Sequence, residues 1–326
     1  MMSLTKKIIF SIFIVIVALR LSSINTIQAA ECNCITNKKI AIIAPVQHQA
    51  IDDIIGGMKA QLKENNSERI VVFNAMGDPN NISASITQAI NNDDYGVLMP
   101  IGTVATHLAL NSTSSKPIIG LGVDISEAQR QILIKEGHVN FTNVQDAIPV
   151  KNILSLIEKL GKKNILLVYS NDARIHEAVV EIGNVAKDYD IKIKKFNIIN
   201  PSDIYGIKTA IEGADCVLVL KDNVVVSMIN VLVVVAHEHS LPVITADEGS
   251  VISGADIAIG VKESDVGSSG ADILNEMISG KKIVDIPVRP LLDIGIFYKI
   301  NNSNPLDRQQ VADVAKVLNY NVSLVE

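Results

Sequence analysis

Residues 216–251, CVLVLKDNVVVSMINVLVVVAHEHSLPVITADEGSV, constrain the fold more than any other stretch. Cys216–Leu220 is an apolar run of strand length, and it stops at a polar corner, Lys221-Asp222-Asn223. The apolar segment from Val224 to His237 is long enough for a helix. Pro242 then opens a second short strand, Val243–Thr245, which ends at Asp247-Glu248-Gly249-Ser250. Two parallel strands need a crossover between them, and a helix supplies it. Ligands of open α/β sheets sit beyond the carboxyl ends of the strands. Both acidic corners fall there and are expected to face one ligand.

The 326-residue chain has room for two domains. It is 48% hydrophobic, yet holds no Trp and only 4% aromatics, so its core is Ile, Val, Leu and Ala. Such a core suits parallel sheets covered on both faces. The net charge of −6 argues against nucleic acid or an anionic membrane surface as partner.

Lys6-Lys7, the apolar run Ile8 to Leu19 and the small residues Ala29-Ala30 have the order of a secretory signal peptide, residues 1–30. The run is shorter than the roughly 20 residues that span a bilayer. The chain is therefore expected in the periplasm, or tethered outside the cytoplasm if Cys32 carries a lipid. Glu31 before Cys32 disfavours the lipid. Cys32 and Cys34 could otherwise be a strained disulfide or a thiol pair; with no second pair and no nearby His, no metal is expected. Cys216 reads as inert core.

The same plan runs through the rest of the chain. IAIIAPV (40–46) is a strand, followed by Gln47-His48-Gln49 and a helix from Ala50 to Leu62. YGVLMP (95–100) leads into Gly102-Thr103 and a helix, and PIIGLGV ends at Asp124. Residues 97–124 thus repeat the order seen in 217–249. NILLVY (164–169) turns at Ser170-Asn171-Asp172 into a helix over 174–188, and Ile191–Ile198 partly alternates, as an edge strand does. Two successive β/α units of similar plan imply two Rossmann-like lobes with a ligand cleft between them.

Helix N-termini at such corners attract carboxylates and phosphates. Gly102-Thr103-Val104 and Ser170-Asn171-Asp172 are the candidates, although Thr103 or Asn171 could equally be ordinary caps. Asp124, Asp222, Asp247 and Glu248 stand at strand ends and could pair with an ammonium, or simply be solvated. His237-Glu238-His239 lacks the spacing of a metal-binding helix. There is no P-loop, no nucleophile elbow and no complete dinucleotide fingerprint, so neither an enzyme nor a cofactor is expected.

At this point the residues resemble a known family, the bacterial ABC-transporter substrate-binding proteins of the tryptophan/tyrosine-binding type. The resemblance runs over residues 38–300. It rests on His48-Gln49-Ala50-Ile51-Asp52, Asn74-Ala75-Met76-Gly77-Asp78, Asp222-Asn223-Val224, Asp247-Glu248-Gly249-Ser250-Val251 with Gly254-Ala255, and Gly280 with Asp285-Ile286-Pro287-Val288. Two places depart from it: Glu263-Ser264 stand where aromatic residues are usual, and Asn171-Asp172 replace an Asn-Pro corner. Both line the cleft in the family, so a changed ligand is one implication.

The resemblance implies the type I periplasmic-binding-protein fold. Lobe 1 would comprise 38–145 plus 262–285 and lobe 2 146–261 plus 286–326, with crossovers near 145–148, 260–263 and 285–290. It implies an amino acid, aromatic or not, clasped by hinge closure and delivered to an ABC permease by a monomeric protein. The ligand's carboxylate would take the N-termini at Gly102-Thr103 and Ser170-Asn171, and its ammonium Asp222 or Asp247. Gln47 and His48 would close over its side chain. On this reading Asp222→Ala abolishes binding and leaves the fold intact. Two other readings stay open: a sensory domain acting on a separate membrane partner, and an exported enzyme on the same fold, which would need a nucleophile–base pair or a metal.

Overall fold

The computed structural model describes residues 35–325 apart from 63, 114, 172 and 301–303. The expected signal segment 1–30, Cys32, Cys34 and Asp172 lie outside the described residues. Among the described residues no helix is long and apolar enough to cross a membrane.

The chain opens on β1 (Lys39–Ala44) and α1 (Gln49–Gln61). It continues through β2 (Ile70–Asn74), α2 (Pro79–Asn91), β3 (Tyr95–Pro100), α3 (Thr103–Ser112), β4 (Ile118–Leu121), α4 (Glu127–Lys135) and β5 (Phe141–Gln145). Ile40 and Ile42 of β1 enter one core cluster, and Ala41 and Ile43 enter another. Successive residues of a strand point to opposite faces, so this sheet is covered on both sides.

The chain then builds a second sheet from α5 (Val150–Lys159), β6 (Asn164–Ser170), α6 (Ala173–Val185), β7 (Lys192–Ile198), β8 (Cys216–Val219), α7 (Asn223–Val226), α8 (Ile229–Glu238), β9 (Val243–Thr245), α9 (Glu248–Ile252) and β10 (Ile257–Gly260). It returns to the first sheet with α10 (Glu263–Ile278), which packs across α1, and β11 (Arg289–Pro290). It finishes on the second with β12 (Gly295–Lys299), α11 (Arg308–Leu318) and β13 (Val322–Val325).

The first sheet has the order β11-β5-β4-β3-β1-β2, parallel throughout. The second has the order β13-β12-β10-β9-β8-β6-β7, and β12 runs antiparallel to β10. Here too alternate residues feed opposite faces: Ile165, Leu167, Cys216 and Leu218 on one, Leu166, Val168, Val217 and Val219 on the other. Burial pushes the Cys216 thiol up to about 12, which keeps it protonated and unreactive.

Three passages join the sheets, after Gln145, Gly260 and Pro290. The third comes later than 285–290, because Arg289 and Pro290 still pair with Val144 and Gln145 of β5. The helix expected over Val224–His237 is broken in two at Ser227-Met228. The Ser227 hydroxyl donates to the Val224 carbonyl at 2.7 Å, and Met228 leaves helical geometry at ψ 14°. Apolar periodicity does not reveal such a break. His237, at the end of α8, contacts the buried Asp256 carboxylate at 2.9 Å.

Residues 126–145 hold an element that apolar patterning does not announce. Ser126 and Gln129 form a capping box that starts α4. Arg130 on that helix is only 1% exposed. Its guanidinium donates to the carbonyls of Phe141 (2.9 Å), Val284 (2.8 Å) and Ile283 (3.3 Å), and to Glu127 (3.1 Å). Glu127 in turn accepts from the Val288 N–H at 2.7 Å. Arg130 therefore ties the segment before the third passage to the first sheet. Arg130→Met is expected to cost about 3 kcal/mol, since it strands buried carbonyls. Urea denaturation checks this, and an unchanged midpoint would contradict it.

Candidate functional site

The corners named from sequence all lie at the carboxyl ends of parallel strands, where two such sheets present their loops to one cleft. Contacts between the two sets of corners show how the lobes meet. A Cβ on Gly249, at the start of α9, would lie 2.4 Å from Ala50 N and 2.8 Å from His48 Cε1. Glycine there lets the first turn of α9 press against the first turn of α1.

His48 caps α1: its Nδ1 accepts from Ala50 N at 3.2 Å. That leaves the proton of the neutral ring on Nε2. This Nε2 is buried and has no hydrogen-bond partner among the described residues. Burial lowers the His48 pKa, against the pull of Asp247, Asp53 and Asp52, which favours the neutral donor. Gln47 is exposed and held at both ends, donating to Asp52 at 3.1 Å and accepting from Asn74 at 2.7 Å.

Two of the predicted acids are committed to backbone. Asp222 is 2% exposed; it caps α7 by accepting from Val224 N (3.1 Å) and Val225 N (3.3 Å), and it accepts from Ser170 N at 2.6 Å. Asp247 caps α9 through Ser250 N and Ser250 Oγ, both at 2.7 Å. The Ser170 N–H, expected to meet a ligand carboxylate, is thus taken by Asp222. Asn171 and Asn223 are exposed at their corners. Glu248 is half-buried, and burial, with the charge of Asp53 adding to it, raises its pKa.

The corner after β3 is different. Gly102 stands at the N-cap of α3 with φ 81°, a conformation that glycine adopts freely, and no side chain caps the helix. Nothing lies within 4 Å of where a Cβ would be. The first N–H groups of α3, at Thr103 and Val104, therefore have no side-chain cap of the kind that serves α1, α7 and α9. Asp124 lies beside them: its N–H donates to Thr103 Oγ1 at 3.3 Å. Its carboxylate is exposed and accepts from Gln145 at 3.2 Å.

Sequence reasoning missed one cluster. Lys221, at the end of β8, reaches across to Asp146 after β5 and to Glu263 at the start of α10, the latter at 3.2 Å. The Asp146 and Glu263 side chains are 9% and 3% exposed. Burial works to lower the Lys221 pKa, but the two carboxylates outweigh it and raise it, so the ammonium stays charged. Burial pushes the Glu263 carboxyl up, to about 8, against the pull of Lys221. The signal was present in Glu263, which stands where the resemblance leads one to expect an aromatic ring.

Two mainly parallel α/β sheets, joined by three passages and facing each other through their carboxyl-end corners, define a two-lobed binding protein of the type I periplasmic-binding-protein fold. Residues 39–324 match the family described as ABC transporter substrate binding protein, and the chain belongs to that family. An uncharacterized protein of Rickettsia prowazekii (strain Madrid E) is 31% identical over 270 residues, covering 82% of this chain and 85% of its own. A tyrosine-binding protein of Clostridioides difficile (strain R20291) is 26% identical over 285 residues, covering 84% and 82%. The solved ABC domain in complex with L-Trp from Streptococcus pneumonia superposes with a TM-score of 0.72 at 19% identity, covering 88% of this chain and all of that one. The protein is accordingly the extracytoplasmic substrate-binding component of an ABC system, with a small-molecule ligand and a permease as partners. Family and fold are those of binding proteins.

Proposed function

We propose that the cleft takes an α-amino acid as a zwitterion and hands it on chemically unaltered. The observation that carries this is the uncapped N-terminus of α3 at Gly102-Thr103-Val104 with the exposed carboxylate of Asp124 beside it, held by one hydrogen bond from Gln145. A helix N-terminus carries about half a positive charge and free N–H donors, which suits the ligand's carboxylate. Asp124 suits its ammonium better than Asp222, whose oxygens serve backbone N–H groups, or Asp247, whose oxygens serve the Ser250 N–H and hydroxyl. The tyrosine-binding relative and the L-Trp complex agree with an amino-acid ligand.

Asn171, Asp247, Glu248, Gln47 and His48 line the walls of the cleft, and Gly249 lets the two lobes touch at its edge. Closure is a hinge motion of the two lobes about the three passages. A ligand that touches both lobes stabilises only the closed form, so binding shifts that population and presents both lobes to the permease. The charged and apolar first thirty residues fit export to the periplasm, where a monomer suffices.

Thermal unfolding against the twenty amino acids tests the reading. Ligand at 100 times its dissociation constant adds about 2.7 kcal/mol to stability. Asp124→Asn is expected to weaken the best ligand about 30-fold in calorimetry, since it removes one charge-assisted bond from an exposed side chain. No stabilisation by any amino acid, or full affinity in that variant, would overturn the proposal.

A further inference from the structure

We infer that Lys221 reads the distal end of the ligand and selects side chains that end in a hydrogen-bond acceptor oxygen. This rests on the amino-acid reading of the cleft. An ammonium has three donors. Among the described residues Lys221 uses them on Asp146 and Glu263, and its side chain remains 32% exposed while both carboxylates are almost covered. Two carboxylates thus leave the ammonium a third donor, on a side chain that stays partly exposed where the lobes meet.

Placement supports this. Asp146 Oδ2 lies 3.2 Å from where a Gly122 Cβ would be, and Gly122 follows Leu121, whose carbonyl accepts from Gly102 N at 2.8 Å. Gly102, Gly122 and Asp146 thus follow the neighbouring strands β3, β4 and β5. Two strand spacings, about 10 Å, separate the α3 N-terminus from the backbone of the Asp146 corner. Lys221 leans over that corner from the opposite lobe. An amino acid with its carboxylate on α3 and its side chain along this line would bring the side-chain end to Lys221.

The chemistry there is polar. Asp146 balances the Lys221 charge, and closure of the lobes around a ligand would shut bulk water out of the cluster, so that a lost hydrogen bond is not replaced. A hydrocarbon end would leave the third donor unsatisfied, whereas a carboxamide, carboxylate or phenol oxygen would accept it.

The test uses near-isosteric pairs that differ in the acceptor: glutamine against methionine, and tyrosine against phenylalanine, each measured by calorimetry. The acceptor-bearing member of the pair that binds is expected to bind about 30-fold more tightly or better. Lys221→Met should bring the two members to within about threefold of each other. That variant leaves Asp146 without its cation, so Lys221→Met combined with Asp146→Asn, which removes the pair together, is measured beside it. Equal binding within the pairs by the wild-type protein, or a preference that survives in either variant, overturns the role of Lys221 and leaves the amino-acid reading standing. Absence of binding by every amino acid overturns both.

Discussion

Alanine at Gly267 is expected to force α10 away from α1 and to lower stability by about 3 kcal/mol or more. The added Cβ would lie 1.8 Å from Ile54 O and 2.7 Å from Met58 N, both backbone atoms of α1. A backbone atom in the middle of a helix has no rotamer by which to move aside, so the two helices must part. Gly57, facing the other way, would bring its own Cβ to 2.0 Å from Ser264 O, so both partners in this crossing depend on the missing side chain. The effect reaches the cleft as well. α1 begins at the corner of Gln47 and His48, and α10 begins at Glu263, so separating the helices displaces two of its walls. Thermal unfolding should show a drop of roughly 10 °C. Gly56→Ala serves as control: nothing lies within 4 Å of its Cβ position, and a helix interior favours alanine over glycine by about 1 kcal/mol. A Gly267→Ala protein melting with the wild type would show that the crossing is not as tight as described.

Asp222→Ala is the second large effect, and it differs from what the sequence alone suggests. The change removes an acceptor from three backbone N–H groups, those of Ser170, Val224 and Val225. At 2% exposure no water replaces it. The loss of an N-cap costs about 1 kcal/mol. The stranded Ser170 N–H adds about 1–3 kcal/mol more. Destabilisation of about 3 kcal/mol is therefore expected, along with detachment of the β6 corner from the β8 corner. Asp222→Ser, which can still cap α7 but cannot reach Ser170, should recover about 1 kcal/mol of this. Chemical denaturation of the two variants decides the matter. An alanine variant with the wild-type midpoint and no ligand binding would return Asp222 to the role of a pure ligand contact.

Much of the fold was legible because its strands are short, apolar and punctuated. Cys216–Val219 and Val243–Thr245 stand where the apolar runs place them, and Ile191 to Ile198 contains the edge strand β7. Residues 126–145 were not legible for the opposite reason. The only residue that α4 buries is Arg130, whose burial is satisfied by carbonyls far along the chain rather than by an apolar stripe. The third passage was misplaced by a few residues because a two-residue strand has no periodicity to read.

The sequence by itself determined that two β/α units face each other, which corners hold polar residues, and which family the motifs resemble. These follow from local patterns, since strand period, glycine and proline positions and helix caps are decided within a few residues. Only the tertiary structure decided what each acid does. Asp222, Asp247, Asp124 and Glu263 look alike as carboxylates at corners, yet Asp222 is consumed by backbone N–H groups, Asp247 by the Ser250 N–H and hydroxyl, Glu263 shares a lysine with Asp146, and Asp124 stays exposed beside an uncapped helix with one bond from Gln145. That division depends on which donors the fold brings within 3 Å or so of each oxygen, and those donors lie up to 75 residues away, as Lys221 does from Asp146.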